Sequence, residues 1–141
     1  MNDELLKLDN QLCFDLYVAS KEIIKIYKPC LKEIGITYTQ YITLMVLWEK
    51  DNIKVKELGE KLHLDSGTLT PLLKKLEKLE ILERIRDSKD ERNVYVKLTN
   101  KGIEIKEKAA LIPQKMLCRT GLSIEEVVDL KLKLKHLIET L

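Results

Sequence analysis

Two short leucine-patterned segments, joined by only three residues, constrain the fold of this chain most. The first carries Val55, Leu58 and Leu62 at helical spacing, and His63-Leu64-Asp65 leaves room for a tight turn. The second predicts a helix with a buried stripe of five leucines: Leu69, Leu72, Leu73, Leu76 and Leu79. Two helices joined this closely predict a helix-turn-helix.

The opposite face of the second helix is polar. Small hydroxyls stand at its N-terminal end and lysines follow: Ser66, Thr68, Thr70, Lys74, Lys75 and Lys78. Hydroxyls reach base edges and phosphates while ammonium groups hold the phosphate backbone. We therefore expect DNA contacts from five of these residues: Ser66, Thr68, Thr70, Lys74 and Lys75. The alternative is that Asp65 and Ser66 only cap the helix and the lysines are a solvated face, and the residues alone leave both open.

A charged hairpin follows the second helix. Residues 81–86 and 94–98 are strand-like, and the segment between them, 87–93, is entirely polar. This order predicts the wing of a winged helix, with Lys89 and Arg92 near its tip. Narrow A·T-rich minor grooves attract arginine, so we expect both side chains to contact DNA there. The alternative is a solvated loop that an Asp90–Arg92 pair only shapes.

Helices are predicted on both sides of this region. Apolar residues from Leu5 to Ile26 recur at steps of three and four, which is one face of a long helix, and Pro29 and Gly35 mark its end or a bend. A second helix is expected over residues 38–50, with Thr37 as its N-cap. After the wing, Thr99 is expected to cap a helix that runs to about Met116.

The last predicted helix carries a heptad-like seam. Ser123-Ile124-Glu125-Glu126 fits a capping box at its start. The seam repeats at steps of three and four through Val127, Leu130, Leu134, Leu137 and Leu141. Such a seam favours a partner helix, either within the chain or in a second copy. One reading head contacts a single half-site, so we favour a homodimer.

The predicted fold is mainly α with a small β wing: a winged helix-turn-helix flanked by N- and C-terminal dimerisation helices. We assign residues 1–141 to one winged-helix domain. Its dimerisation region comprises 1–35 and 103–141, and its DNA-binding region comprises 38–99.

Composition sets outer limits on function. The 141 residues are 34% charged and 45% hydrophobic, which is too apolar for a disordered polymer and too polar for a membrane protein. The opening residues are acidic and no apolar stretch follows them, so we expect no secretory signal and a cytoplasmic location. The net charge of +2 does not itself indicate nucleic acid, and the DNA prediction therefore depends on geometry.

Common catalytic and cofactor signatures are missing from the sequence. It contains no P-loop, G-x-G-x-x-G, G-x-S-x-G or H-E-x-x-H motif. Its three cysteines, Cys13, Cys30 and Cys118, form no CxxC pair, and its two histidines are far apart. We expect no enzyme activity, no cofactor and no metal site.

The order of these elements resembles the multiple-antibiotic-resistance regulator (MarR) family of bacterial repressors over nearly the whole chain. Finer matches resemble its organic-hydroperoxide-resistance regulator (OhrR) branch: Gln11-Leu12-Cys13-Phe14 with Tyr17, Tyr27-Lys28-Pro29, Thr37-Tyr38, and the run from Leu64 to Lys74. Within that run, Asp65-Ser66-Gly67-Thr68-Leu69-Thr70-Pro71 is highly specific to the branch. Asp90-Glu91-Arg92 in the wing is shared by the wider family.

The resemblance implies a thiol sensor. In that branch a cysteine near the start of the first helix senses peroxide, and two tyrosines of the partner subunit hydrogen-bond to it; by position these are Cys13, Tyr27 and Tyr38. From the residues alone, Cys13 on an apolar stripe is more typical of an inert core cysteine, and it is the resemblance that favours a sensor. If Asp9 or Asn10 caps the helix, Cys13 falls in or just past its first turn, where amide groups and the helix dipole favour thiolate.

Members of the branch differ in the fate of the oxidised cysteine. Some take up a small cellular thiol, and others use a resolving cysteine from the other subunit, which Cys118 resembles. An incidental surface thiol is the alternative for Cys118. Cys30 is a poor partner within one chain, because the seventeen residues from Cys13 span about 25 Å of helix, whereas a disulfide needs Cα atoms within about 7 Å.

The resemblance predicts a dimeric repressor of an inverted-repeat operator in double-stranded DNA. Reduced Cys13 permits DNA binding, and oxidation by an organic hydroperoxide releases the operator. One alternative is a MarR-type repressor that responds to a small molecule bound between the winged heads and the dimer helices, with Cys13 structural. Another is a thiol peroxidase, for which the sequence offers no obvious recycling site.

Overall fold

The computed structural model describes residues 2–141. Two 3₁₀ turns, Asp3–Leu6 and Leu8–Asn10, precede the first helix. The main elements are α1 Leu12–Glu33, α2 Tyr38–Glu49, β1 Ile53–Lys54, α3 Val55–Leu62, α4 Ser66–Lys78, β2 Leu82–Arg86, β3 Val94–Leu98, α5 Asn100–Ala109, α6 Ile112–Thr120 and α7 Ile124–Thr140. The predicted class, mainly α with a small β wing, is confirmed.

The chain divides into two compact units. The first ends at Ala110 and the second is Leu111–Leu141. The first unit holds α1 to α5 and an antiparallel sheet of order β1-β3-β2. The second holds α6 and α7.

The core of the winged region is apolar and closed. Leucines of α2, α3 and α4 meet the inner residues of the sheet, and the most deeply buried are Leu44, Leu47, Leu58, Leu73, Leu76, Leu82 and Val96. Val96 pairs with Arg84 on β2 and with Ile53 on β1. Leu79, which the sequence places in the buried stripe, is 39% exposed because α4 ends at Lys78 and Leu79 is its C-cap.

The start of the first helix differs from the prediction. The apolar period begins at Leu5, but α1 begins at Leu12. The side-chain amide of Asn10 donates to the Glu4 carbonyl at 2.8 Å, and that of Gln11 donates to the Leu5 carbonyl at 2.7 Å. These two backbone carbonyls therefore have hydrogen-bond partners in 3₁₀ turns and not in a helix. Neither Asp9 nor Asn10 caps α1; Gln11 is the N-cap, and its side chain makes no capping hydrogen bond.

The end of α1 is set by Gly35 and not by Pro29. Pro29 lies inside the helix, which continues to Glu33. Gly35 has φ +76°, a conformation that favours glycine. Its N–H donates to the Lys32 carbonyl at 3.1 Å, and the N–H of Ile36 donates to the Leu31 carbonyl at 3.1 Å, which is a Schellman cap.

Side-chain caps define three further helix starts. Thr37 and Gln40 form a capping box at α2, and Thr99 caps α5. At α7, the Ser123 N–H donates to Glu126 Oε2 at 2.7 Å and the Glu126 N–H donates to Ser123 Oγ at 3.2 Å. These are the caps that the sequence predicts.

The helix predicted from Thr99 to about Met116 is broken. It ends at Ala109, and α6 begins at Ile112. Pro113 is the physical reason, because it has no N–H and its ring meets the carbonyl of the residue four earlier, Ala109. The sequence contained this signal, and the prediction of one unbroken helix overlooked it.

The seam of α7 is not buried within the chain. Val127, Leu134 and Leu137 are half-buried, Leu130 and Leu141 are exposed, and α7 holds no buried residue. None of the helices within residues 2–141 combines the length and the apolar character needed to cross a membrane.

Candidate DNA interface and thiol site

The recognition helix, α4, presents a polar N-terminal face. Asp65 is its N-cap and accepts the Thr68 N–H at 2.8 Å through Oδ1. The capping role therefore belongs to Asp65. Of the five residues predicted to contact DNA, Ser66, Thr68, Lys74 and Lys75 are exposed and Thr70 is half-buried. The leucines on the other face fix this orientation, because burying them turns the hydroxyls outward.

A groove of about 1090 Å³ separates the start of α4 from the wing. Hydroxyls and basic side chains line it together, among them Ser66, Thr70, Lys54, Arg84 and Arg92. Cationic groups beside hydroxyls suit a phosphate backbone and base edges. Sequence reasoning missed Lys54 and Arg84, because their place depends on β1 pairing with β3 and on the register of β2.

The wing tip is an ordered turn. The Asp87 N–H donates to the Asn93 carbonyl at 2.9 Å, and the Lys89 N–H donates to Asp87 Oδ1 at 3.0 Å. Arg92 donates to Asp90 through Nε and Nη2, both at 3.0 Å. These bonds hold the pKa of the Asp90 carboxyl below its ordinary value and raise the pKa of Arg92. The Asp90–Arg92 pair that the sequence suggested is therefore present, and the Arg92 side chain is nevertheless 90% exposed.

A second pair joins the recognition helix to the wing. Arg84 Nη2 donates to Glu77 Oε2 at 2.9 Å, and the Arg84 N–H donates to Glu77 Oε1 at 3.3 Å. The hydrogen bonds from Arg84 lower the pKa of Glu77. Because Glu77 lies on α4 and Arg84 on β2, this pair holds the helix against the sheet.

Cys13 lies in the first turn of α1 and is exposed. Exposure gives a reagent access to the sulfur. Cys30 is half-buried further along α1, and Cys118 is exposed on α6.

The two tyrosines matched to the sensor lie together. The ring centroids of Tyr27 on α1 and Tyr38 on α2 are 5.0 Å apart, edge to face. Burial raises the pKa of Tyr27, so its hydroxyl stays a neutral donor near pH 7. Fourteen residues of continuous helix, about 21 Å, separate Cys13 from Tyr27. Cys13 therefore cannot reach these tyrosines within its own chain.

Two further aromatic residues extend the pair. Tyr41 lies 5.9 Å from Tyr27 and 6.4 Å from Tyr38, and Trp48 packs edge-on against Tyr41 at 6.3 Å, all between ring centroids. Sequence reasoning missed both. The i, i+3 spacing of Tyr38 and Tyr41 was the available signal. Within residues 2–141, no cluster of His, Cys, Asp and Glu is arranged to hold a metal ion.

The fold and the groove define a winged-helix DNA-binding protein. Residues 25–109 match the family model of the transcriptional regulator SarA/Rot. The chain is 48% identical over 136 residues to the organic hydroperoxide resistance transcriptional regulator of Bacillus subtilis (strain 168), covering 96% of this chain and 92% of that protein. It is 47% identical over 131 residues to the HTH-type transcriptional regulator SarZ of Staphylococcus aureus (strain USA300), covering 93% and 88%.

Solved structures of DNA-binding regulators have a similar fold. Reduced AbfR bound to DNA matches with a TM-score of 0.75 and 35% identity, covering 98% of this chain and 99% of that one. Disulfide-formed AbfR matches with a TM-score of 0.70 and 36% identity, covering 99% and 97%. A crystal structure of AbfR of Staphylococcus epidermidis is a further match. The chain belongs to the MarR family of winged-helix transcriptional regulators, in its organic-hydroperoxide-resistance branch, and is a DNA-binding regulator and not an enzyme.

Proposed function

We propose that this protein is a dimeric repressor that senses organic hydroperoxides through Cys13 and then releases its operator. The observation that carries the proposal is the exposed Cys13 thiol in the first turn of α1, with Tyr27 about 21 Å further along the same helix and packed against Tyr38 of α2. The function of the Bacillus subtilis relative and the reduced and disulfide forms of AbfR support it.

Exposed apolar faces support a homodimer. Leucines before and at the start of α1 and apolar residues along α7 are exposed in the protomer: Leu5, Leu6, Leu8, Leu12, Ile124, Val128, Leu130, Leu132 and Ile138. We assign dimerisation to residues 1–35 and 103–141 and DNA binding to residues 38–99. A two-fold axis between the two recognition helices would place the DNA half-sites about 34 Å apart. The bound DNA would then be a double-stranded operator with an inverted repeat.

The sensing step is a two-electron oxidation. The Cys13 thiolate attacks the O–O bond of the hydroperoxide, the sulfur becomes a sulfenic acid, and the displaced alkoxide takes a proton and leaves as an alcohol. The hydroxyls of Tyr27 and Tyr38 of the partner would donate to the thiolate. A new covalent bond at Cys13 would then shift the two heads away from the spacing that the operator requires.

A mobility-shift titration tests this function. Cumene hydroperoxide should release the reduced parent from its operator, and dithiothreitol should restore binding. Cys13→Ser should fold, bind the same DNA and ignore the peroxide, because serine is close in shape and cannot form a sulfenic acid. Cys30→Ser is the matched control and should respond as the parent does. Peroxide-driven release that persists in Cys13→Ser would refute the proposal and leave a small-molecule-responsive repressor in its place.

A further inference from the structure

Tyr41 is the most enclosed member of the aromatic cluster. Its side chain is 3% exposed, and its ring lies within 6.4 Å of three other rings, measured between centroids. Trp48, on the far side of Tyr41, is itself fixed, because its Nε1 donates to the Gly102 carbonyl at 2.9 Å. Tyr41 is therefore held firmly between Trp48 and the two sensor tyrosines.

Hydrogen bonding does not orient the sensor tyrosines within the protomer. The side-chain hydrogen bonds of α2 involve Thr39, Gln40, Thr43 and Trp48. In the described part of the chain, residues 2–141, no hydrogen bond from any element reaches the hydroxyls of Tyr27, Tyr38 or Tyr41. The positions of the Tyr27 and Tyr38 hydroxyls are consequently set by how their rings pack.

Ring packing here depends on Tyr41. Tyr27 and Tyr38 come from different helices and meet at one edge contact. Tyr41 contacts both and closes the triangle, with its ring tilted 42° to Tyr27 and 52° to Tyr38. Removing its ring would leave a cavity against both neighbours. Rings beside a cavity gain rotational freedom, and a hydrogen bond weakens steeply with misalignment.

We propose that Tyr41 is a positioning residue that holds the Tyr27 and Tyr38 hydroxyls where they meet the partner subunit's Cys13. The inference rests on the proposed function. The ring of Tyr41 performs this role, and its hydroxyl is dispensable.

The test compares ring-keeping and ring-removing variants. Tyr41→Phe retains the ring, Tyr41→Leu removes it, and Tyr41→Met replaces it with a flexible side chain that fills irregular space if the leucine variant does not fold. Tyr27→Phe and Tyr38→Phe are reference variants. All are made in a Cys30→Ser, Cys118→Ser background so that Cys13 is the only thiol. The readouts are the rate of sulfenic acid formation with cumene hydroperoxide and the pH midpoint of Cys13 alkylation by iodoacetamide.

We expect Tyr41→Phe to react within about twofold of the parent. Tyr41→Leu or Tyr41→Met should react about tenfold more slowly, with an alkylation midpoint about one pH unit higher, since a tenfold change in thiolate corresponds to one pH unit. Operator binding by the reduced variants should be unchanged. If Tyr41 only stabilised the fold, its loss would not shift the pH midpoint of Cys13 alkylation while operator binding stayed the same.

Three outcomes would overturn the inference. A ring-removing variant that reacts at the parent rate, while Tyr27→Phe is slow, shows that Tyr41 does not position the tyrosines and leaves the proposed function intact. A Tyr41→Phe variant as slow as Tyr41→Leu shows that the hydroxyl acts directly. Parent rates in both Tyr27→Phe and Tyr38→Phe would instead remove these tyrosines from the proposed function itself.

Discussion

Asp90 accepts two parallel hydrogen bonds from Arg92 at the tip of the wing, from Nε to Oδ1 and from Nη2 to Oδ2, both at 3.0 Å. A bidentate pair fixes the plane of the guanidinium as well as its position. Arg92 nevertheless remains 90% exposed. The pair therefore presents an oriented cation to solvent instead of neutralising it inside the loop.

Arg92 should contribute to DNA binding through both its charge and its shape. Arg92→Ala should lower operator affinity and reduce the slope of log K against log salt by about 1. Arg92→Lys should keep the slope, because the charge is kept, but should still bind more weakly, since lysine cannot form the bidentate pair. Anisotropy titrations at several salt concentrations measure both. A full recovery of affinity in Arg92→Lys would show that orientation is irrelevant.

The threonines and lysines of α4 should act differently. Lys74→Ala should weaken binding to all DNA sequences and lower the salt slope by about 1, since an ammonium group contacts phosphate. Thr68→Ala and Thr70→Ala should change which bases are preferred. Lys108→Ala, which changes an exposed lysine of α5 and not of the recognition helix, serves as the control. Selection from random sequences measures preference, and equal losses on specific and random DNA in the threonine variants would contradict base reading.

Cys118 should resolve the oxidised sensor. Organic hydroperoxide should give a covalent dimer on a non-reducing gel, because the partner subunit's Cys118 thiolate attacks the sulfur of the Cys13 sulfenic acid and displaces hydroxide, which takes a proton from solvent to become water. The dimer should vanish in Cys118→Ser, survive in Cys30→Ser and be reversed by dithiothreitol. A covalent dimer without Cys118, or oxidised protein that stays monomeric until a small thiol caps Cys13, would contradict this role.

The Glu77–Arg84 pair should make stability depend on pH in the acid range. The hydrogen bonds from Arg84 lower the pKa of Glu77 from 4.5, so the stabilisation is fully present above that value and is lost as the pH falls through the lowered pKa. Glu77 is 38% exposed, and solvent screening limits the effect to about 0.5 kcal/mol. Glu77→Gln should therefore melt slightly lower than the parent at pH 7, with the difference closing as the pH falls through the lowered pKa of Glu77. A constant difference across this range would show that the ion pair is not its cause.

Local patterns predicted the winged region well because each of its elements carries its own signal. Thr37 marks the start of α2, the three residues 63–65 form the turn, and the polar loop 87–93 separates two strand-like segments. β1 was missed, since two residues show no period and its existence depends on pairing with β3.

Misses elsewhere have a common physical origin. The apolar period predicted helix from Leu5, and the helix expected after the Thr99 cap ran through Pro113. Side-chain amides at Asn10 and Gln11 and the missing N–H of Pro113 decided the backbone instead. Contacts between distant elements, such as Glu77 with Arg84, left no local pattern to find. The buried leucine stripe turns the predicted DNA-contacting residues of α4 away from the core, and of these five only Ser66 and Thr70 line the groove.

Gly102 should be intolerant of any side chain. A Cβ built on Gly102 would lie 2.2 Å from the Ile81 carbonyl oxygen and 3.0 Å from Leu98 Cδ2. The Ile81 carbonyl has no freedom to retreat, because it accepts the Thr99 N–H at 3.1 Å and the Thr99 hydroxyl at 3.0 Å. Gly102→Ala should therefore destabilise the fold by about 3 kcal/mol, at the upper end of the usual cost of overpacking.

Gly67→Ala is the matched control for this prediction. Its Cβ would meet only the end of the Asp65 side chain, at 3.3 Å, and alanine favours a helix over glycine, so its stability should stay within about 1 kcal/mol of the parent. Urea unfolding followed by circular dichroism compares the two. Because the Gly102 carbonyl also accepts the Trp48 indole N–H, Gly102→Ala should in addition change the near-ultraviolet signal of Trp48. Equal stability of the two variants would show that α5 does not approach Ile81 this closely.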